Sequence, residues 1–587
     1  MSESLLLMLL RCQQIYTRLN QVNVCLGYTA LLNSLSTISH QHTIPIQQWI
    51  AEGIQFKFVG DNVDKQQKAR DLRSDHSGHM YHMYSILAVQ SRIPTSHLLY
   101  TGYTGSLLDM SANDFLPSLQ DMNTFKDTLS ILVARLLTKY IHSLSFLSSV
   151  VPEHILHKYS NAMTKSSTVA VIDVLMKNEA ESKDMLDIME TMHGYLGEGY
   201  ATEKRVLSGG DQLTCERQRA SQRHVMCGNT SREKLQILEP VVEDWHAMVS
   251  FLAVAWKRLY SKSTRDHGTL GFFRSLLNRQ AVTDDPKKDV NACADLLQTV
   301  VTGHLLASAC TILKIKRLTQ SPVHLASSLS KLHTASVTEK KSFIIELAQQ
   351  VVKECTINDA AITFQLESDN KDHIYSYARV LCHFGSILMI FRDAWAEGDG
   401  DQILQCWKVF MVHFFDSSSR SKYAFEAIRL LLQKEILSPK LSEDLVWNRF
   451  INSHGGPGKN IPCDLHNEHV NKIIKDLIQN MGPNLSEGAI QRAARSVSVI
   501  KAICSQFDSQ SHVPRFSSKH STRSNDQDIA LVVDCVLHNS LLQDHKDSRQ
   551  HISFPSFSDN PFKRISRPDI LTWIEQKQRM AILESGL

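Results

Sequence analysis

Among the 12 cysteines of this 587-residue chain there is no C-x-x-C pair and no regular spacing, which excludes a disulfide-stapled scaffold and points to a reducing, intracellular setting. The Asn229-Thr230-Ser231 sequon carries no meaning in such a compartment. No run reaches the roughly 18 apolar residues of a membrane span. The opening "MSESLLLMLLRC" is apolar but short and lacks a basic leader, so it reads as a first amphipathic helix, and no membrane partner is expected. An excess of charge is also missing: 63 basic against 60 acidic residues leave +3, so no global positive field marks a nucleic-acid binder and any such contact must be a local patch. No repeat period survives inspection, which excludes a solenoid.

What remains is an ordinary globular composition, with 43% hydrophobic and 21% charged residues, in a chain long enough for roughly two to four domains or one domain with a large insertion. Residues 1–50 have Leu-rich helical spacing and break at Pro45, a helical lead-in. Residues 51–252 carry the strand signals: "FKFV" at 56–59, "HMYHMYSILAV" at 79–89, "KRVLSGGDQLT" at 204–214 and "ILEPVVEDWHAMVSFL" at 237–252, the last equally readable as helix in its second half. Within that span, residues 114–200 read as helical. Residues 253–445 form a helical block. Residues 446–504 open with the loop "NSHGGPGKNIP" and continue as a capped helix ending at Gly482. Residues 505–587 are a polar, flexible loop followed by a helical tail. The fold class expected is a helix-rich α/β sheet protein interrupted by an all-helical insertion.

Two aspartates, Asp61 and Asp211, each close a predicted strand beside a glycine, and a third acid, Glu468, falls on a helix beyond the helical block. Strand ends are where open sheets form sites, and three converging carboxylates supply the hard oxygen ligands of Mg²⁺ or Mn²⁺. Two such ions could activate a water or 3′-hydroxyl for in-line attack on a phosphodiester. Asp after a strand is also an ordinary turn or N-cap residue, and that reading stands beside the metal one. Gly60 and Gly210 would let backbone approach a metal or phosphate closely.

Other groups have both a chemical and a structural reading. Asp244 could be a further metal ligand and His246 a proton shuttle, or the two could be a satisfied polar pair beside Trp245. Cys463, His466 and His469 do not share one helical face, lack a fourth ligand and match no zincin motif. His76, His79 and His82 alternate faces if that segment is a strand. "GGPGKN" at 455–460 fails the phosphate-loop pattern but could deliver Lys459 to nucleic acid. Arg217, Arg219 and Arg223, on a basic helix after Asp211, are candidates to grip a DNA backbone, with Lys314, Lys316, Arg317 and Lys563, Arg564, Arg567 as further patches. Solvated helix faces are the alternative.

The stretches "FVGDNVDKQQKARD", "SGGDQLTCER", "DWHAMVSFL" with "HGTLGFFRSLLNR", and "WNRFINSHGGPGKNIPCDLHNEHVNKIIKD" together resemble an uncharacterised family of transposon-derived proteins, the domain-of-unknown-function family numbered 6589. The similarity runs from the N-terminal helix through Arg495. Its members resemble ribonuclease-H-like three-acid transposases, in which a helical insertion separates the second Asp from the final Glu. The resemblance therefore implies a ribonuclease-H-like mixed sheet, with Asp61, Asp211 and Glu468 as the first, second and third acids, DNA as partner and residence in the nucleus. One departure is that no zinc finger or helix-turn-helix stands ahead of Asp61, which suits a fragment or a remnant that no longer moves DNA. Three readings follow: a metal-dependent nuclease or strand-transfer enzyme; a non-catalytic interaction protein that keeps the fold and associates through its helical insertion as a homo-oligomer; and a helical scaffold that would require the strands around Phe58 and Leu207 to be absent.

Overall fold

A computed structural model describes residues 18–585 except 19, 24–25, 41, 68–77, 101–102, 104–109, 198–203, 263–265, 356–372, 417–420, 481–485, 497–524 and 542–566. Phe56–Asn62 (β1), Tyr84–Gln90 (β2), Val169–Leu175 (β3), Val206–Gly210 (β4) and Leu238–Val242 (β5) form a mixed five-stranded sheet in the order β3-β2-β1-β4-β5. The β1–β2 and β2–β3 pairs are antiparallel, and β1–β4 and β4–β5 are parallel. The helical-scaffold reading is excluded by β1 and β4.

Period-two alternation in β1 sends its side chains to two covered faces. Phe56 and Phe58 join Trp49 and the Met185, Ile188, Met189 and Met192 stripe of the Ser182–Leu196 helix. Val59 packs on the other face with Ile474 and Ile478 of the Cys463–Asn480 helix. The inward stripe of that helix continues through Cys463, Asn467, Val470 and Asn471, all buried and close to one helical face. Each fully buried Phe or Ile contributes about 1.5–3 kcal/mol relative to exposure, so the helix carrying Glu468 is fixed to the sheet by apolar contact. Lys57, also fully enclosed, is neutralised by Glu243 at 2.6 Å, just past β5.

Several boundaries differ from those expected. "HMYHMYSILAV" is two strands: His79–Tyr81 pairs with Lys65–Gln67 in a small hairpin, and only Tyr84–Gln90 enters the main sheet. β3 lies inside a stretch expected to be helical; its short apolar run has no period to distinguish it from neighbouring helices. In "ILEPVVEDWHAMVSFL", the strand ends at Val242 and the Trp245–Leu259 helix begins.

The helical block is wider than residues 253–445. It also takes in Leu119–Tyr140, which precedes β3 and opens with a Ser118/Asp121 capping box, and the Asn525–Leu541 and Arg567–Ser585 helices from the supposed tail. Val532 packs so closely on the Val290–Ile312 helix that a Cβ at Gly303 would lie 2.2 Å from it. The opening segment, His76, the polar loop through residue 524, Lys563 and Arg564 lie outside the described residues. Among the described residues no helix is long and apolar enough to cross a membrane.

Candidate functional site

Parallel pairing of β1 with β4 carries Asp61 and Asp211 to the same end of the sheet. Asp61 is 8% exposed and lies on the face covered by the Cys463–Asn480 helix, where Asn471 donates to its Oδ2 at 2.9 Å. Asp211 is the N-cap of the Gln212–His224 helix, its Oδ1 accepting the Thr214 N–H at 2.8 Å. The ordinary N-cap role is therefore real at Asp211, though a carboxylate so engaged keeps a second oxygen. Glu468 is presented one helical position around from Asn467 and Asn471, toward His246.

His246 links the helices at this end. Its Nδ1 lies 3.1 Å from Asp464 Oδ2 and its Nε2 lies 3.6 Å from Glu468 Oε1. Asp464 also accepts the backbone N–H groups of Trp245 and His246 at 3.1 and 3.0 Å, capping the Trp245–Leu259 helix from another element. Burial opposes a charge on His246, but its hydrogen bond to Asp464, the Glu468 carboxylate 3.6 Å away and the negative charges of Asp464 and Asp61 hold its pKa well above the usual imidazole value. The ring stands between two carboxylates, and its proximity holds Glu468 below the ordinary carboxylate range.

Asp61 has the opposite environment. Burial raises its pKa well above normal; His246 opposes this, and the neighbouring charges of Glu468, Asp211 and Glu179 add to it. Asp211, Glu468, His246 and Glu179 thus all lie within electrostatic reach of Asp61. Glu179 is 3% exposed, just beyond β3, and accepts the Thr214 hydroxyl at 2.6 Å. Burial, reinforced by Asp211 and Asp64, pushes its carboxyl up to about 7, with the Thr214 bond pulling the other way. Glu179 was missed because β3 was read as helix. Asp464 was missed although it stands four residues before Glu468, on the same helix face.

The remaining candidates are placed elsewhere or are already engaged. Both Asp244 oxygens are occupied in a buried bidentate pair with Arg449, at 2.8 and 2.7 Å, and Trp407 Nε1 adds a third donor at 2.8 Å; as a structural anchor it is not disposed to ligate a metal. Arg219 turns inward to pair with Glu426, away from any nucleic acid. Arg217 is half-buried and Arg223 exposed on the same helix. Lys459 is exposed on a loop tied to residues 163–167 and to Arg92, beyond the Phe56–Gln90 end of the β1–β2 pair. Five residues of strand, about 16 Å, separate that end from Asp61, so Lys459 does not reach the acidic end. Cys463 is buried with its thiol toward the Asn448 carbonyl, not in a zinc set.

Gly60 and Gly210 serve packing. A Cβ at Gly60 would lie 2.0 Å from the Tyr84 hydroxyl, and one at Gly210 would lie 2.6 Å from Thr214 Cγ2. The glycines admit neighbouring side chains rather than an ion.

A family model described as a family of unknown function (DUF6589) matches residues 109–520. The chain belongs to this family. The DUF6589 span includes Glu179, Asp211, His246, Asp464 and Glu468, while Asp61 lies upstream of it. No curated protein and no solved structure matches the chain.

Among the described residues, no three His, Cys, Asp or Glu side chains are disposed to hold a metal ion. The donors are nonetheless of the right kind for a hard cation, being carboxylates, and each is held by a single neutral or cationic neighbour: Asp61 by Asn471, Asp211 by the Thr214 N–H and Glu468 by His246. Burial is the main reason the Asp61 carboxyl is held above its ordinary range, and Glu468, Asp211 and Glu179 add to it against His246.

Proposed function

We propose that this DUF6589 protein has a ribonuclease-H-like core descended from a transposase and that its acidic end is a divalent-cation site for cleavage or strand transfer at a DNA phosphodiester. The observation that carries this reading is the crowding of Asp61 by Glu468, Asp211 and Glu179 at one sheet end. The mixed character of the sheet supports it, with Asp61 near the end of β1 and Asp211 just after β4, its parallel neighbour. The helical block between Asp211 and Glu468 supports it as well.

Asp61, Asp211 and Glu468 would hold Mg²⁺ or Mn²⁺, which when bound supplies charge neutralisation and a lowered pKa for an attacking water or hydroxyl. The protein's own groups do the rest. Asn471 orients Asp61, Thr214 orients Asp211 and Glu179, and Asp464 holds His246 where it can release Glu468 or pass a proton. The experiment is divalent-dependent nicking of plasmid DNA by the purified chain. Loss of nicking in both Asp61→Asn and Glu468→Gln supports the assignment, and nicking indifferent to both rejects it.

One observation favours a non-catalytic reading. His246 already neutralises Glu468, as expected of a site that keeps its acids for structure. On that reading Mn²⁺ leaves stability unchanged and His246→Asn destabilises the fold without creating or abolishing any activity.

A further inference from the structure

At the opposite end of the sheet, just past β2, a cavity of about 370 Å³ is lined by Arg92, Ile93, Pro94, Lys158, Tyr159 and Lys165, among others. Arg92 is the more buried of its lining cations, Lys158 and Lys165 being exposed. Its Nη1 donates to the carbonyls of Met163 and Lys165, both at 2.9 Å, and its Nη2 donates to the Phe450 carbonyl at 3.0 Å and to Asn460 Oδ1 at 2.8 Å. All four acceptors are neutral, and among the described residues no carboxylate pairs with Arg92. Burial lowers its pKa to about 10, which leaves the guanidinium charged at neutral pH. Lys165 is exposed and likewise has no carboxylate partner among the described residues. Lys158 is paired with Glu443, which also accepts the Tyr159 hydroxyl at 2.5 Å. The wall of the pocket therefore carries two positive charges that no described carboxylate balances. The rim continues onto Lys459, which lies over Gly456, whose N–H donates to the Thr164 carbonyl at 2.7 Å, next to Lys165.

A half-buried cation ringed by neutral acceptors costs free energy that an incoming anion would offset. A half-buried Arg with exposed Lys donors suits a tetrahedral, multiply charged oxyanion. We propose that this pocket binds a phosphate group, delivered by a polynucleotide backbone or by a free phosphate compound, with Lys158 and Lys165 as direct donors and Arg92 as the fixed charge behind them. The pocket is separate from the acidic end and does not depend on the nuclease reading.

The test uses the full chain in EDTA, so that no cation site contributes. Binding of pyrophosphate is read by calorimetry and binding of a short single-stranded oligonucleotide by fluorescence anisotropy across a salt series. For Lys158→Glu with Lys165→Glu the expected result is about tenfold weaker binding of whichever probe binds, with the oligonucleotide's salt slope reduced by about one to two. Lys165→Glu alone, at an exposed side chain that leaves the Glu443 pair intact, is expected to weaken binding about threefold. Loss of both probes assigns a general phosphate pocket, loss of the oligonucleotide alone assigns the backbone as source, and loss of pyrophosphate alone assigns a small phosphate compound. Failure of both probes to bind, or binding indifferent to Lys165→Glu and to the double variant, overturns the proposal.

Discussion

Glu179→Gln isolates one buried carboxyl whose charge the fold tolerates poorly. The native carboxyl titrates at about 7 against 4.5 for an ordinary glutamate, chiefly because of burial. The unfolded chain therefore releases this proton first as pH rises. Stability contributed by the neutral form is fully present below pH 4.5 and is lost as pH rises through about 7. At 1.36 kcal/mol per pH unit the gap corresponds to about 3 kcal/mol at pH 8, undiminished by solvent because the side chain is only 3% exposed. Glutamine keeps an acceptor for the Thr214 hydroxyl and never ionises. The variant is expected to match the wild type near pH 4.5 and to exceed it at pH 8, so thermal denaturation midpoints measured across that range should diverge upward. Two parallel curves over the whole range would refute the claim that Glu179 is buried, without a salt-bridge partner among the described residues, and crowded by Asp211.

Asp61→Asn should behave similarly, raising the denaturation midpoint at pH 7.5 in EDTA because Asp61 too is held above its normal pKa, while removing any stabilisation by Mn²⁺. Arg449→Met strands the charge of buried Asp244 and is expected to cost about 3–5 kcal/mol, read as a lower denaturant midpoint; Arg449→Met with Asp244→Leu should recover most of that loss. His246 has a folded pKa well above that of the unfolded chain, so its contribution is present below the ordinary imidazole value and is lost as pH rises through the elevated one. Its ring should still titrate as an imidazolium by NMR at pH 7.5, and a neutral ring there would contradict the Asp464–His246–Glu468 bridge.

Legibility in the sequence followed periodicity. β1 and β4 could be read because each is a short apolar run closed by glycine and aspartate, and the helices around Leu129 and Leu297 because their apolar residues recur every three or four positions. β3 could not be read, since "VAVIDVL" is apolar without a period, and Glu179 was lost with it. The acidic end was half visible. Asp61 feels the charges of Asp211 and Glu468, but what each side chain actually holds depends on Asn471, Thr214 and His246, which sit far away in the chain or in the next turn. Asp244 shows the limit most plainly. Beside Trp245 and His246 it looked like a ligand, and only the fold reveals Arg449, 205 residues later, bound to both of its oxygens.

The most direct measurement is a calorimetric titration of the metal-free protein with Mn²⁺, run in parallel on Asp61→Asn and Glu468→Gln. Saturable binding to the wild type, accompanied by a higher denaturation midpoint and lost in both variants, is the result the account predicts. Equal heats and equal midpoints in all three proteins would contradict it.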